Sequence, residues 1–258
     1  MSRPILVTGS ADGLGLAAAR ELVADGYPVI GHARNAARAA QLQAQVPGLD
    51  DVVVGDFAAL DEVRAMAATL ADRGPLQAII HNAGVGYREL RRIETVDGHA
   101  HVLQINVLAP YLLTALLPRP ERLVWLSSGL HRDGDASVED IDWTHRAWNG
   151  FQAYADSKLF DATLAMALAR RWPQVRSNAV EPGWVPTRMG GPGAPDDLTL
   201  GHVTRAWLAE AVAPEAQFSG GYYYHQAPAP AHYAVQDHAF QSELFDACAR
   251  LTGVRLPD

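Results

Sequence analysis

Residues 4–15 read Pro4-Ile5-Leu6-Val7-Thr8-Gly9-Ser10-Ala11-Asp12-Gly13-Leu14-Gly15. A short apolar run passes into a glycine-rich turn, and an amphipathic stretch from Leu14 to about Ala24 follows. Strand, turn and helix in that order lay a pyrophosphate on the unpaired N–H groups of a helix N-terminus. Glycines permit the tight turn and a close approach of ligand to backbone. The spacing is Gly-x3-Gly-x-Gly, not the Gly-x-Gly-x2-Gly of the standard dinucleotide fingerprint. Read alone, the stretch is equally a glycine-rich turn capping a helix.

The same alternation continues outward. Pro28 to Gly31 reads as a second strand, ending in His32-Ala33-Arg34-Asn35, with a helix to about Gln45. At this distance past the glycines an acid takes the ribose hydroxyls of NAD, whereas an arginine accommodates a 2′-phosphate. Arg34 stands there and no acid does, which favours NADP; a solvated arginine at a helix start is the plain alternative. Val52 to Phe57 reads as a third strand and its exit. Asp56 is placed either to meet an adenine amino group or to cap the next helix, and Phe57 follows it at the same rim. Gln77 to Ile80 is the fourth strand, leading into His81-Asn82-Ala83-Gly84, whose small residues either let a cofactor lie against the backbone or form a simple turn.

Gly98 to Leu117 reads as one helix with Asn106 in its apolar middle. Such an Asn must find partners or cost stability, so it either orients a neighbour or water or is a satisfied core residue. Arg122 to Leu126 is the fifth strand, and Ser127-Ser128-Gly129 ends it where ligands bind in open α/β sheets. Residues 129–150 are irregular and rich in Asp, His and Trp. His131 and His145 lie among acids there without metal-ligand spacing, so no metal is expected. Trp148 to Trp172 reads as one long helix carrying Tyr154-Ala155-Asp156-Ser157-Lys158. Residues four apart share a helix face, so Tyr154 and Lys158 point into one space. The ammonium would stabilise a phenolate and lower its pKa, making Tyr154 a proton donor and acceptor. Alone, the pair is also what an ordinary surface helix displays.

Val175 to Val180 is the sixth strand, ended by Glu181-Pro182-Gly183-Trp184-Val185-Pro186-Thr187. Residues 189–197 are dense in Gly and Pro and fit a lid or a featureless loop. Leu200 to Val212 reads as helix, Gly221 to His225 as a last strand, 227–231 as loop and His238 to Leu251 as a C-terminal helix. The expectation is one α/β domain over residues 1–258, including a substrate loop at about 186–200 and a helix at 238–252.

The totals exclude several classes. The net charge is −8 with no Lys/Arg-rich run, which argues against nucleic acid or an anionic membrane as partner. Cys248 is the sole cysteine, so no internal disulfide forms and a Cys-based metal site is not expected. That agrees with a cytoplasmic setting. No signal peptide and no membrane span are read.

Taken together, these residues resemble the short-chain dehydrogenase/reductase family. Its Thr-Gly-x3-Gly-x-Gly loop is matched by Thr8, Gly9, Gly13 and Gly15; its Asn-Ala-Gly by Asn82, Ala83 and Gly84, with His81 where a second Asn is common; its Tyr-x3-Lys by Tyr154 and Lys158; its Pro-Gly-x-Val-x-Thr by Pro182, Gly183, Val185 and Thr187. Within the family the chain is similar to the retinol-dehydrogenase-like and WW-domain-oxidoreductase-like branch, through 32–35, Asp97-Gly98, Ser157-Lys158-Leu159 and the ending from Glu243.

The resemblance implies a single Rossmann domain, a doubly wound parallel sheet of about seven strands with helices on both faces. It implies an NAD(P)-dependent oxidoreductase interconverting an alcohol and a ketone or aldehyde, with Asn106, Ser128, Tyr154 and Lys158 as catalytic residues; Ser127 is the alternative serine. It implies cofactor contacts from Gly9, Ser10, Asp12, Gly13, Leu14, Gly15, Arg34, Asp56, Phe57, Asn82, Ala83, Gly84, Tyr154, Lys158, Pro182, Gly183, Val185 and Thr187, and a homodimer or homotetramer. In that picture Asn106 holds a water linking Lys158 to solvent. Asp12 opposes the NADP reading, since its carboxylate would repel a 2′-phosphate that Arg34 attracts. A catalytically silent cofactor-binding scaffold of the same fold is the alternative reading.

Overall fold

The computed structural model describes residues 3–210 and 213–258. Strands β1 (Ile5–Val7), β2 (Val29–Ala33), β3 (Asp51–Val54), β4 (Ala78–His81), β5 (Arg122–Leu126), β6 (Arg176–Glu181), β7 (Tyr222–Tyr224) and β8 (Ala227–Pro228) form one sheet in the order β3-β2-β1-β4-β5-β6-β7-β8. All neighbours from β3 to β7 are parallel, and β8 runs antiparallel to β7. The strand order reverses between β1 and β4. In an open α/β sheet that switch point opens a crevice at the carboxyl ends of the strands. Thr8-Gly9 and Asn82-Ala83-Gly84 sit there.

Helices cover both faces, as buried parallel strands require. Helices α1 (Gly13–Ala24) and α7 (Leu198–Glu210) pack on one face with Ala19, Leu22, Ala206 and Leu208. On the other face lie α3 (Leu60–Ala71), the helix of residues 101–116, α6 (Gly150–Arg171) and α8 (His238–Thr252). Helix α2 (Ala36–Gln45) closes the β2–β3 edge through Ala39 and Leu42. Local chemistry sets the helix starts. Asp12, Asn35, Asn149 and Asp237 each accept hydrogen bonds from the first turn of α1, α2, α6 and α8. Gly253, at φ 71°, ends α8.

Three elements differ from expectation. The helix read from Gly98 starts at His101, because Gly98 adopts φ 87° in a turn closed by a bridge between Glu94 and Ala100. It then divides into α4 (His101–Leu103), a π-helical turn at Gln104–Leu108 and α5 (Ala109–Leu116). Asn106 lies in the π turn, a distortion that clusters at functional sites. The eighth strand was read as loop; Ala227 and Pro228 pair with Tyr224 and Tyr223, and proline is tolerated at such an edge. Helix α7 begins at Leu198, and Ala211 and Val212, the expected end of the helix, lie outside the described residues.

Helix α6 is buried along most of its length from Ala153 to Leu168, since α8 covers the side turned away from the sheet. Phe240, Leu244, Phe245 and Cys248 of α8 join the larger core. Leu244→Ala is expected to cost about 2–5 kcal/mol, read as a lowered midpoint in urea unfolding.

Candidate active site

The glycine turn is shaped by what it must touch. Gly9 takes φ 64°, and a β-carbon there would lie 2.8 Å from the Ala83 α-carbon. One on Gly15 would strike the Asn82 amide and the Gly9 carbonyl. These two glycines let the turn after β1 press against the turn after β4. Gly13, at φ 53°, has only the Thr187 methyl near its missing β-carbon, at 3.9 Å. Its outer side is the open part of the crevice, at the N-terminus of α1.

A hydroxyl and an amide hold the two turns together. Thr8 Oγ1 accepts from the N–H groups of Asn82 (2.9 Å) and Ala83 (3.0 Å). Asn82 Nδ2 donates to the carbonyls of Thr8 (2.8 Å) and Gly9 (3.2 Å). Asn82 Oδ1 accepts from Arg205, a fully buried arginine on α7 that also donates to the Gly201 carbonyl. His32 provides a further tie. Its Nδ1 accepts from Gly9 N–H (2.9 Å), its Nε2 donates to the Gly55 carbonyl (2.8 Å), and its ring stacks on Phe57 at 4.6 Å. Sequence reading missed both His32 and Arg205 as supports of this turn. A strand-end histidine carries no motif, and Arg205 meets Asn82 across 123 residues.

The expected cofactor contacts are not all equally available. Ser10 is fully buried; its hydroxyl is bound to the backbone of His32 and turned inward, because β2 needs that partner. The Phe57 ring is in the core, so only its backbone faces the rim. Asp56 accepts from Ala58 N–H (2.9 Å) in the turn before α3, but the N-cap of α3 is Ala59 and no side chain caps the helix, so Asp56 does not. Arg34 is exposed. Asp12, besides accepting from Gly13 N–H (2.8 Å), pairs with Arg38 (3.2 Å) and lies 3.6 Å from Arg188. Two guanidiniums thus offset the charge that was expected to oppose a 2′-phosphate. Arg38, one helical turn past Arg34, was not singled out from the sequence.

Tyr154 and Lys158 share a face of α6 as their spacing predicts, with Lys158 Nζ 5.8 Å from the Tyr154 ring centre. The ammonium is almost wholly buried. It donates to the Leu126 carbonyl (2.8 Å) and to Asp161 Oδ2 (2.7 Å). Burial raises the Tyr154 phenol above its ordinary value; Lys158 and the Ser128 hydroxyl pull it down, and Asp161 and Tyr87 push it up. Lys158 thus pulls the phenol down as expected, while desolvation by burial is the larger effect and leaves the phenol above its ordinary value. Asp161 was also missed, although its i,i+3 spacing from Lys158 was visible; its burial was not.

The serine pair resolves into two roles. Ser127 is buried and donates to the Lys158 carbonyl (2.8 Å). Ser128 is half-buried beside Tyr154, and its backbone carbonyl accepts from His131 Nδ1 (2.7 Å) and lies 3.1 Å from the Tyr222 hydroxyl. His131 Nε2 accepts from His232 N–H (3.0 Å), so both its ring nitrogens are engaged, and His145 is exposed. Among the described residues no group of three His, Cys, Asp or Glu side chains could hold a metal ion.

Asn106 acts as a clamp. Its Oδ1 accepts from Val85 N–H (2.8 Å), and its Nδ2 donates to the Val85 carbonyl (3.1 Å) and Ser157 Oγ (2.9 Å). Its Oδ1 and Lys158 Nζ both face Gly84, 3.2 and 3.7 Å from where a β-carbon would stand.

The loop after β6 folds over this crevice. Pro182, Gly183 (φ 80°), Val185 and Thr187 lead into Arg188 and Met189. The Trp184 indole donates to the Gly190 carbonyl (3.0 Å), and Thr187 Oγ1 accepts from Gly190 N–H (3.1 Å). Val185 is buried and touches Gly201 at the start of α7, where Leu14 also packs. Met189 Sδ lies 3.9 Å from the Tyr154 hydroxyl, and Tyr87 packs edge-on to Tyr154 at 5.7 Å. Trp143 is buried under the Arg146 guanidinium, and the Trp148 indole donates to the Glu89 carbonyl.

A family model described as short chain dehydrogenase matches residues 3–124. An oxidoreductase of Emericella nidulans is 38% identical over 257 residues, spanning 98% of each chain. The chain belongs to the short-chain dehydrogenase/reductase family. It is thus an oxidoreductase of that family. A Streptomyces relative named as a daunorubicin C-13 ketoreductase is 32% identical, over 97% of this chain and 93% of its own. A crystal structure from Mycobacterium paratuberculosis superposes with TM-score 0.86 at 26% identity, covering 99% of this chain and 95% of that one. Among the described residues no helix is long and apolar enough to cross a membrane.

Three buried histidines make the site sensitive to acid. Burial lowers the pKa of His32, takes His81 down to about 3 and His131 to about 4. Each is held neutral in the folded chain, so the unfolded chain takes up the proton first. Their contribution is intact above the unfolded value near 6.5 and is lost as pH falls toward 4. Asp161, pushed up to about 6 by burial, works in the opposite sense and offsets one of them. Stability is expected to fall by up to about 1.4 kcal/mol per pH unit for each uncompensated histidine. His81→Asn should flatten that slope in urea unfolding measured from pH 7 to pH 4, roughly the window these shifts define.

Proposed function

We propose that this chain is an NADP-linked alcohol dehydrogenase or carbonyl reductase, acting on a small-molecule alcohol or its ketone or aldehyde. The supporting observation is convergence. The open turn at Gly13, the Lys158 ammonium, the Tyr154 phenol and the Ser128 hydroxyl meet at the carboxyl ends of β1, β4 and β5, at the switch point of the sheet. The residues present fit a dinucleotide. Gly13 leaves space over the α1 N-terminus, and Gly84 keeps the backbone bare where Asn106 and Lys158 face it.

When bound, the nicotinamide gives or takes a hydride at the substrate carbon. The chain supplies the rest. Leu14 and Gly15, in the first turn of α1, hold the pyrophosphate by backbone N–H groups, and Gly9 and Gly13 shape the turn that lets it approach. Lys158 holds ribose hydroxyls, and Val185 and Thr187 meet the carboxamide. Ser128 and Tyr154 hydrogen-bond the substrate oxygen, and Tyr154 exchanges its proton. Met189, Tyr87 and Phe151 provide an apolar wall that sheds water from that oxygen. Arg34 and Arg38 receive the 2′-phosphate, with Asp12 already paired. The relative named as a ketoreductase supports a ketone as one substrate class.

Tyr154→Phe is expected to keep cofactor binding, read by quenching of tryptophan fluorescence, while turnover falls roughly 10²–10⁴-fold. Unchanged turnover would remove Tyr154 from the chemistry. Turnover absent from the wild type across a broad carbonyl and alcohol panel, with binding intact, would favour a silent scaffold. Arg34→Ala should lower the preference for NADPH over NADH about tenfold or more, the scale of one lost charge-assisted contact, seen as a rise in KM for NADPH alone.

A further inference from the structure

Lys158 does not face Tyr154 as an uncompensated cation. Its partner is Asp161, which is 3% exposed and lies 2.7 Å away, one turn along the same helix. The bond is to Asp161 Oδ2; Oδ1 has no hydrogen-bond partner among the described residues, and Lys158 is the charged group acting on this carboxylate. Among the described residues no further charged group acts on this carboxylate. Helix α8 presents the Cys248 thiol, pushed up by burial and so neutral, with the neutral Tyr111 hydroxyl near it. β5 presents the Leu126 carbonyl, the π turn presents the amide of Asn106, and the segment after β4 presents Tyr87.

We propose that Asp161 is a positioning residue of the catalytic pair, whose carboxylate holds the Lys158 ammonium toward α8 and sets the charge against which Tyr154 gives up its proton. The inference rests on the reading of Tyr154 as the acid/base. With Asp161 ionised, the buried trio of Tyr154, Lys158 and Asp161 is neutral overall. Loss of a proton leaves it with one net negative charge in a dry site. With a neutral residue at 161 the same loss takes the group from one positive charge to none. Burial penalises the first change and favours the second, whichever microscopic group releases the proton. The carboxylate therefore biases the pair toward the protonated phenol, the form that donates a proton in carbonyl reduction.

Asp161→Asn keeps the size of the side chain and an acceptor for Nζ while removing the charge. In the alcohol-oxidation direction the rising limb of the pH–rate profile is expected to move down by about one unit or more. In protein free of cofactor, the tyrosinate absorbance change that is lost in Tyr154→Phe should move down with it. Asp161→Glu, which keeps the charge, should stay near the wild-type profile. Asp161→Ser gives the same reading as Asn should the amide variant fail to fold. An unmoved limb, a shift upward, or equal shifts in the Glu and Asn variants would overturn the proposal. If Tyr154→Phe retains turnover, the acid/base reading itself fails. If that variant is inactive and Asp161→Asn keeps the wild-type limb, only the role of Asp161 fails.

Discussion

A single buried ammonium ties the candidate active site of this molecule together. Moving a lysine charge out of water costs several kcal/mol unless hydrogen bonds and an opposite charge replace the lost solvent. Lys158 obtains both, from the β5 carbonyl of Leu126 and from Asp161. The first bond fixes α6 against the end of the strand that carries Ser128. The second is strengthened by the dry environment that α8 maintains by covering α6 with Phe240, Leu244 and Cys248. The C-terminal helix, far from the glycine turn in sequence, thus contributes to the electrostatics of the pair through what it excludes.

The glycine turn depends on close contact between two backbones. Gly9 and Gly15 have no side chains because Ala83 and Asn82 occupy that space. Thr8, Asn82, His32 and Arg205 then satisfy the polar groups that the contact buries. An unpaired buried group there would cost about 1–3 kcal/mol. This explains why neutral histidine is used: one ring nitrogen accepts from Gly9 while the other donates to Gly55. Arg205 extends the brace to α7, the helix that follows the loop over Tyr154, so the loop, the brace and the glycine turn form one connected unit.

Much of the site was legible because it repeats short spacings. The glycine turn, Asn82-Ala83-Gly84, Tyr154 with Lys158, and Ser128 all lie where their motifs put them, at strand ends or on one helical face. Other contacts had no motif to announce them: the Ser10 hydroxyl bonds the backbone of β2, Phe57 stacks on His32, and Asn106 grips Val85 and Ser157. The eighth strand is two residues long and contains a proline, too little pattern to separate from loop.

The amino-acid sequence alone determined the order of strands and helices, the crevice-forming turns and the residue types able to move a proton, because periodicity and glycine spacing are local properties of the chain. Tertiary structure decided how those groups behave. Burial outweighed the pull of Lys158 on the Tyr154 phenol, Arg38 and Arg188 offset the charge of Asp12, and Asp161 became the counterion of Lys158. Each of these depends on which distant segment excludes water or supplies a charge, and that is a property of packing.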